Sequence, residues 1–174
     1  QVDTHTIHFG TLRDGDKIYA VLCGIDTSSD GRAKSITAPD VNGQLRALER
    51  TYKNLPFTPD TLSLIEAHGT GTWTGDITEV TALTQFIRRY SDKKKFIGLG
   101  SVKSMIGHLK AAAGMAGIIK TAMALHHKIL PPTINCEHPR KDIEWETSPF
   151  YLLTEPQLWD NGSMPRRAGI DTFG

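Results

Sequence analysis

The chain has 174 residues, enough for one domain with a real core or for one half of a larger fold. Its 20 Lys and Arg against 19 Asp and Glu leave a net charge of +1, a balance that argues against a dedicated nucleic-acid binder. A hydrophobic content of 39% with 22% charged residues excludes a disordered chain, and no apolar run approaches the ~20 residues of a membrane helix.

No charged-then-apolar leader is visible. Two cysteines, Cys23 and Cys136, form neither a disulfide framework nor a metal-spaced pair, so a reducing, cytoplasmic setting is expected. The chain starts at Gln1 rather than Met and stops at Gly174 just after an apolar stretch, and a fragment of a larger protein is expected.

Residues 1–16 are polar, carry His5, His8 and the Asp14-Gly15 pair, and read as a connection. Lys17 to Ile25 is rich in β-branched and aromatic residues and predicts a strand, with Cys23 in the core. A polar loop, Asp26 to Lys34, follows. Ala38-Pro39-Asp40 predicts a helix start, after which Val41, Leu45, Leu48 and Tyr52 recur at helical spacing until Pro56 and Pro59. Leu62 to Glu66 predicts a short strand running into His68-Gly-Thr70-Gly-Thr72. A second helix is expected after Gly75-Asp76, with Val80, Leu83, Ile87 and Tyr90 on one face.

Lys93 to Lys95 read as a solvated turn. Phe96 to Gly100 predicts a third strand, and a long helix is expected from about Gly107 to Lys128, stopped by Pro131-Pro132. Its uncharged, Ala- and Gly-rich stretch from Ala111 to Ile119 predicts burial on all sides. A loop over 133–149 and two strands, Tyr151 to Thr154 and Arg167 to Thr172, complete the chain. This alternation implies an α/β layered domain with a mixed, mostly buried sheet.

Open α/β sheets place their sites at strand ends, and three polar clusters fall there. They are Glu66 to Glu79, Ser101 to His108, and Asp171-Thr-Phe173-Gly174. Gly69, Gly71 and Gly75 miss the dinucleotide spacing by one residue, and Gly98, Gly100 and Lys103 do not match a P-loop. Neither His5 and His8 nor the adjacent His126 and His127 suit a metal, so no metal is expected and surface histidine is the simpler reading. His68 and His108 differ, since each follows a strand beside glycine, with Lys103 five residues before the second. Two neutral imidazoles donating to one oxygen would stabilise an enolate or oxyanion, with Lys103 tuning them by charge.

The runs Glu66-Ala-His-Gly-Thr-Gly-Thr72 and Gly100-Ser-Val-Lys-Ser-Met-Ile-Gly-His-Leu109, followed by Ala-Ala-Ala-Gly, resemble the C-terminal half of a β-ketoacyl synthase. The likeness is to ketosynthase domains of polyketide synthases and related polyunsaturated fatty-acid synthases. It extends from Asp14 through Leu130-Pro-Pro-Thr133 to Pro165-Arg-Arg-Ala-Gly169. The resemblance implies a thiolase-like fold of two halves in α/β layers, of which this chain is the C-terminal half, and usually a homodimer. On that reading residues 1–16 connect from the absent N-terminal half, 17–132 form the C-terminal core, and 133–174 form an extension ending before a glycine-rich segment.

The resemblance further implies an acyltransferase that performs decarboxylative Claisen condensation. A Cys in the other half takes the acyl chain, and a malonyl-type extender arrives on the phosphopantetheine of acyl carrier protein. No tightly bound cofactor is implied. His68 and His108 would bind the extender's thioester carbonyl, and Lys103 would support His108. Asp76 and Glu79 would hold the polar network around Lys103, and Thr70 and Thr72 would contact the phosphopantetheine arm. Local turn hydrogen bonding is the simpler role for those threonines and is compatible with it.

The nucleophile is absent from this chain, and neither Cys23 nor Cys136 sits in the family's small-residue motif. Lys110 stands where many modular ketosynthases carry Glu, which leans toward the polyunsaturated fatty-acid or enediyne branch and leaves Asp76 and Glu79 as candidates to balance Lys103. A non-elongating or chain-length-factor-like partner and a non-enzymatic remnant are the alternatives. Half of a two-half fold should expose a large apolar patch and fold poorly alone.

Overall fold

A computed structural model describes residues 13–31 and 38–173. His5, His8 and Gly174, most of the expected connection over 1–16, and Lys34 in the first loop lie outside the described residues.

Four parallel strands make the central sheet: β1 (Leu64–Glu66), β2 (Ile97–Gly100), β4 (Phe150–Leu152) and β6 (Ala168–Ile170), in the order β4-β2-β1-β6. Leu130 of β3 (Ile129–Leu130) pairs antiparallel with Gln157 of β5 (Gln157–Leu158) as a separate ribbon. The mixed sheet expected from the sequence is thus divided into a parallel sheet and an antiparallel pair. Burial on both faces suits a short parallel sheet, whose strands then read as apolar runs rather than alternating ones.

Successive residues of a strand face opposite sides, and β1 uses both. Ile65 packs with Ile97, Leu99 and Phe150 against α1 (Val41–Tyr52) and α2 (Trp73–Ile87), which supply Leu45, Ala82, Leu83, Phe86 and Ile87. Leu64 faces the other way, with Ala124 of α4 (Ala113–His127), Leu130, Leu153 and Trp159. The result is two helices, a sheet, and a third long helix in layers. Helix α1 starts where the sequence places it, because the Asp40 carboxylate accepts the Gly43 N–H at 3.2 Å as an N-cap.

Three expectations are corrected. Lys17 to Ile25 forms no strand among the described residues, and Val21, Leu22, Ile25 and Cys23 are exposed. β-Branched composition describes a chain that suits a pleated surface, but a strand also needs a neighbour to pair with.

The long helix expected from Gly107 begins only at Ala113. Ahead of it stand the short helix α3 (Lys103–Ile106), Gly107 at φ +74° and Lys110 at φ +54°. A left-handed residue cannot continue a right-handed helix, so these two positions break the run. At the other end Lys128, at φ +59°, terminates the helix before the prolines are reached.

Nor is α4 buried all round. Ala113, Gly117, Thr121 and Ala124 face the sheet, while Met115, Ile118, Ile119 and Met123 are exposed. The small residues serve close approach on one side only. A Cβ at Gly117 would lie 3.2 Å from Cγ of Glu66, and one at Gly114 would lie 3.3 Å from Thr172. Smaller shifts also occur, in that α2 opens at Trp73, ahead of Gly75-Asp76, the strand expected over Tyr151 to Thr154 moves to Phe150–Leu152, and the last is trimmed to Ala168–Ile170.

Candidate active site

Parallel register brings the three polar clusters to one edge. Glu66 lies opposite Gly100 on one side and Ile170 on the other, so β1, β2 and β6 end level with one another. The ladder runs one step further through Ala67 N–H to Gly100 O (2.7 Å) and Asp171 N–H to Glu66 O (2.9 Å). His68, Ser101 to Lys103 and Asp171 to Phe173 therefore leave the sheet side by side, as expected for a site on the carboxyl edge of an open sheet.

The turn after β1 is tightly held. Gly69 adopts φ +47°, and a Cβ there would stand 2.8 Å from that of Ser101, so only glycine fits. Glu79 reaches back from the second turn of α2. One of its oxygens accepts the His68 N–H at 2.7 Å and the other accepts the Gly69 N–H at 2.9 Å. Asp76, one turn earlier, accepts the Gly71 N–H at 3.1 Å. Burial raises the Asp76 carboxyl, against the pull of that hydrogen bond and of Arg140. The hydroxyls of Thr70 and Thr72 share a hydrogen bond at 3.1 Å on the exposed lip of this turn.

The imidazoles of His68 and His108 meet edge to face, with ring centroids 5.4 Å apart. Nδ1 of His68 accepts the Phe173 N–H at 3.2 Å, and the Phe173 ring lies 4.6 Å from the imidazole. Nδ1 of His108 accepts the Lys110 N–H at 3.0 Å. A neutral imidazole with an accepting Nδ1 carries its proton on Nε2. Both rings thus present Nε2–H donors, and the left-handed turn at Lys110 is what aims its N–H at His108. His68 is held neutral, its pKa lowered to about 4 by burial and then by the positive charge of Lys103.

Lys103 is partly buried beside this pair. Burial lowers its pKa, and Glu66, Glu79 and Asp171 oppose the shift. Of the two acids read from the sequence as its counter-charges, Glu79 faces Lys103, whereas Asp76 turns toward Gly71 and Arg140. Glu66 and Asp171 were not assigned to this network. Glu66 is only 2% exposed. One oxygen accepts the Val102 N–H at 2.5 Å and the other pairs with Lys120 Nζ at 2.8 Å. The signal for Lys120 was a single charge in an otherwise apolar helix.

Arg140 was also missed. It donates to the carbonyls of Thr72 and Trp73 at 3.2 and 2.7 Å and lies over the Trp73 ring at 4.5 Å, pinning the start of α2. Cys23 and Cys136 are free thiols, and no group of three metal-binding side chains occurs among the described residues. No helix of the described residues is long and apolar enough to cross a membrane.

The layered α/β sheet brings His68, His108 and Lys103 to one edge, the arrangement that the resemblance to a thiolase-like half implied. A family model described as "Beta-ketoacyl synthase, C-terminal domain" matches residues 19–137. The chain is 46% identical to polyketide synthase PksN of Bacillus subtilis, over 94% of its own length and 3% of that protein. It is also 46% identical to a polyunsaturated fatty acid synthase of a Thraustochytrium species, over 94% of its length and 6% of that protein. Ketosynthase twelve from the bacillaene polyketide synthase of Bacillus amyloliquefaciens superposes with a TM-score of 0.91 at 42% identity, covering 96% of this chain and 30% of that one. The chain belongs to the β-ketoacyl synthase family and corresponds to its C-terminal domain. It spans a few per cent of the length of these curated relatives and about a third of the solved ketosynthase.

Proposed function

We propose that this chain supplies the extender-binding half of a condensing enzyme. His68 and His108 hold the thioester carbonyl of a malonyl-type extender carried on acyl carrier protein. As the extender loses CO2, negative charge grows on that carbonyl oxygen, and two preorganised Nε2–H donors stabilise the enolate. The enolate carbon then attacks an acyl thioester on a Cys of the N-terminal half, forming the carbon–carbon bond and releasing the thiolate.

The observation that carries this reading is the matched tautomer of the two rings, each with Nδ1 accepting a backbone N–H. A base or metal-ligand role would leave one ring nitrogen free to accept, whereas this arrangement provides donors only. It favours condensation over a non-elongating or chain-length-factor-like partner, which needs no such pair. Burial keeps His68 neutral and the charge of Lys103 adds to it, while Lys103 supports His108 and Glu79 balances the lysine. Thr70 and Thr72, whose hydroxyls share a hydrogen bond on the exposed lip beside His68, contact the phosphopantetheine arm on this reading. The partners on this reading are acyl carrier protein, the N-terminal half, and a second copy of the whole ketosynthase.

The test is His68→Ala and His108→Ala in the complete enzyme. Malonyl decarboxylation should fall by about 10²–10³ in each, the scale for loss of one oxyanion donor, while Cys acylation persists. Normal decarboxylation in both variants would sink the reading.

A further inference from the structure

A buried ion pair stands next to the turn that carries Lys103 and takes no part in the proposed chemistry. Glu66 ends β1, and Lys120 is the one Lys, Arg, Asp or Glu of α4. Nζ of Lys120 meets Oε2 of Glu66 at 2.8 Å, with 10% of the lysine side chain and 2% of the glutamate exposed. Two glycines make room for the pair. A Cβ at Gly117 would stand 3.2 Å from Glu66 Cγ, and one at Gly100 would stand 3.6 Å from Lys120 Nζ and 2.5 Å from Thr133 Oγ1.

Both charges have left water, and apolar residues of similar volume often serve stability as well as such a pair does. The remaining contact of Glu66 gives the pair another use. Its Oε1 accepts the N–H of Val102, the residue just before Lys103, at 2.5 Å in the buried interior. A bond to an ionised acceptor is shorter and stronger than one between neutral groups.

The other ties on this turn are weaker or more exposed. Ser101 Oγ donates to the His68 carbonyl at 3.4 Å and accepts the Lys103 N–H at 3.4 Å, both long for hydrogen bonds. Asn135 donates to the Ser104 carbonyl at 2.9 Å from an exposed position. The firm anchor is therefore Glu66, and Lys120 holds its second oxygen so that the first stays aimed at Val102.

We propose that Glu66 and Lys120 are positioning residues for Lys103. The pair clamps the Val102 amide and with it the start of α3, and so sets where the Lys103 ammonium stands beside His68 and His108. This rests on the reading of Lys103 as the support of His108.

The experiment uses the complete ketosynthase and two double variants, since a single change would strand a buried charge. Glu66→Gln with Lys120→Met removes both charges and keeps an amide oxygen for Val102. Glu66→Leu with Lys120→Met removes both charges and the acceptor at similar side-chain volume. Hydrogen exchange of the peptide over 101–106, read by mass spectrometry, should match wild type in the Gln variant and be several-fold faster in the Leu variant. In the Leu variant kcat for malonyl decarboxylation should fall by about 10²-fold, the scale for a group misplaced by about 1 Å, with KM for malonyl-acyl carrier protein and Cys acylation little changed. The Gln variant should stay within a few-fold of wild type. Adding Lys103→Ala to both should erase the difference between them, because a clamp that acts through Lys103 then has nothing to place.

Unchanged exchange in the Leu variant overturns the clamp whatever the activity. Faster exchange with full decarboxylation, in an enzyme that Lys103→Ala impairs, overturns the positioning role. A difference between the two double variants that survives Lys103→Ala overturns it too. Faster exchange in an enzyme that keeps its rate even with Lys103→Ala leaves the clamp standing and removes the function read for Lys103 instead.

Discussion

The backbone N–H of Phe173 donates to Nδ1 of His68 at 3.2 Å, across 105 positions of sequence. That one bond decides which nitrogen of His68 is left free to donate. It exists because β6 lies beside β1 in parallel register, so that the residues just past Ile170 run level with those just past Glu66.

His68 should therefore resist protonation. Its pKa lies at about 4 in the folded protein against 6.5 for the free side chain, so between those values the unfolded chain binds more protons. Stability from this group is present above pH 6.5 and is lost as pH falls toward 4. In thermal melts of the complete enzyme over pH 4 to 7, His68→Gln should lose less stability on acidification than wild type. An identical acid slope in the two proteins would show that His68 is not held neutral.

The Glu66–Lys120 pair anchors α4 to β1 and, through the Val102 N–H, fixes the approach to Lys103. Lys120→Met alone should cost about 3–5 kcal/mol in denaturant unfolding, because it strands a buried carboxylate. Glu66→Gln combined with Lys120→Met should recover much of that loss, since no unpaired charge is then left inside. A double variant as unstable as the sum of the singles would mean that the pair is not coupled.

Helix α4 turns Met115, Ile118, Ile119 and Met123 outward, and the stretch before Gly24 exposes Val21 and Leu22. The 174 residues on their own should bind a dye specific for exposed apolar surface. Ile119→Lys should reduce that binding without loss of helix content by circular dichroism, because its side chain leaves the sheet-facing side of α4 untouched. A cooperative monomeric melt with no dye uptake would contradict the exposed face.

The helices α1 and α2 and the three strands that carry the site were legible because each has a local cause. Val41, Leu45, Leu48 and Tyr52 keep helical spacing, and short apolar runs lead into His68 and toward Lys103. Both histidine motifs were legible for the same reason, since glycines and polar residues concentrate where a strand gives way to a turn. What failed were readings in which composition stood in for contact. Lys17 to Ile25 has the residues of a strand but no described neighbour to pair with, and the Ala- and Gly-rich stretch of α4 is apolar on a face that nothing among the described residues covers.

Sequence by itself determined the family and the α/β alternation and singled out His68, His108 and Lys103 as candidates, because these reside in contiguous residues. Only the tertiary structure decided the tautomers of the two rings, the separation of Asp76 from Glu79, and the entry of Glu66, Lys120 and Asp171 into the charge network. Those properties belong to no segment. They arise where parallel strands end level with one another, and a carboxyl group's charge depends on which buried groups the fold sets beside it.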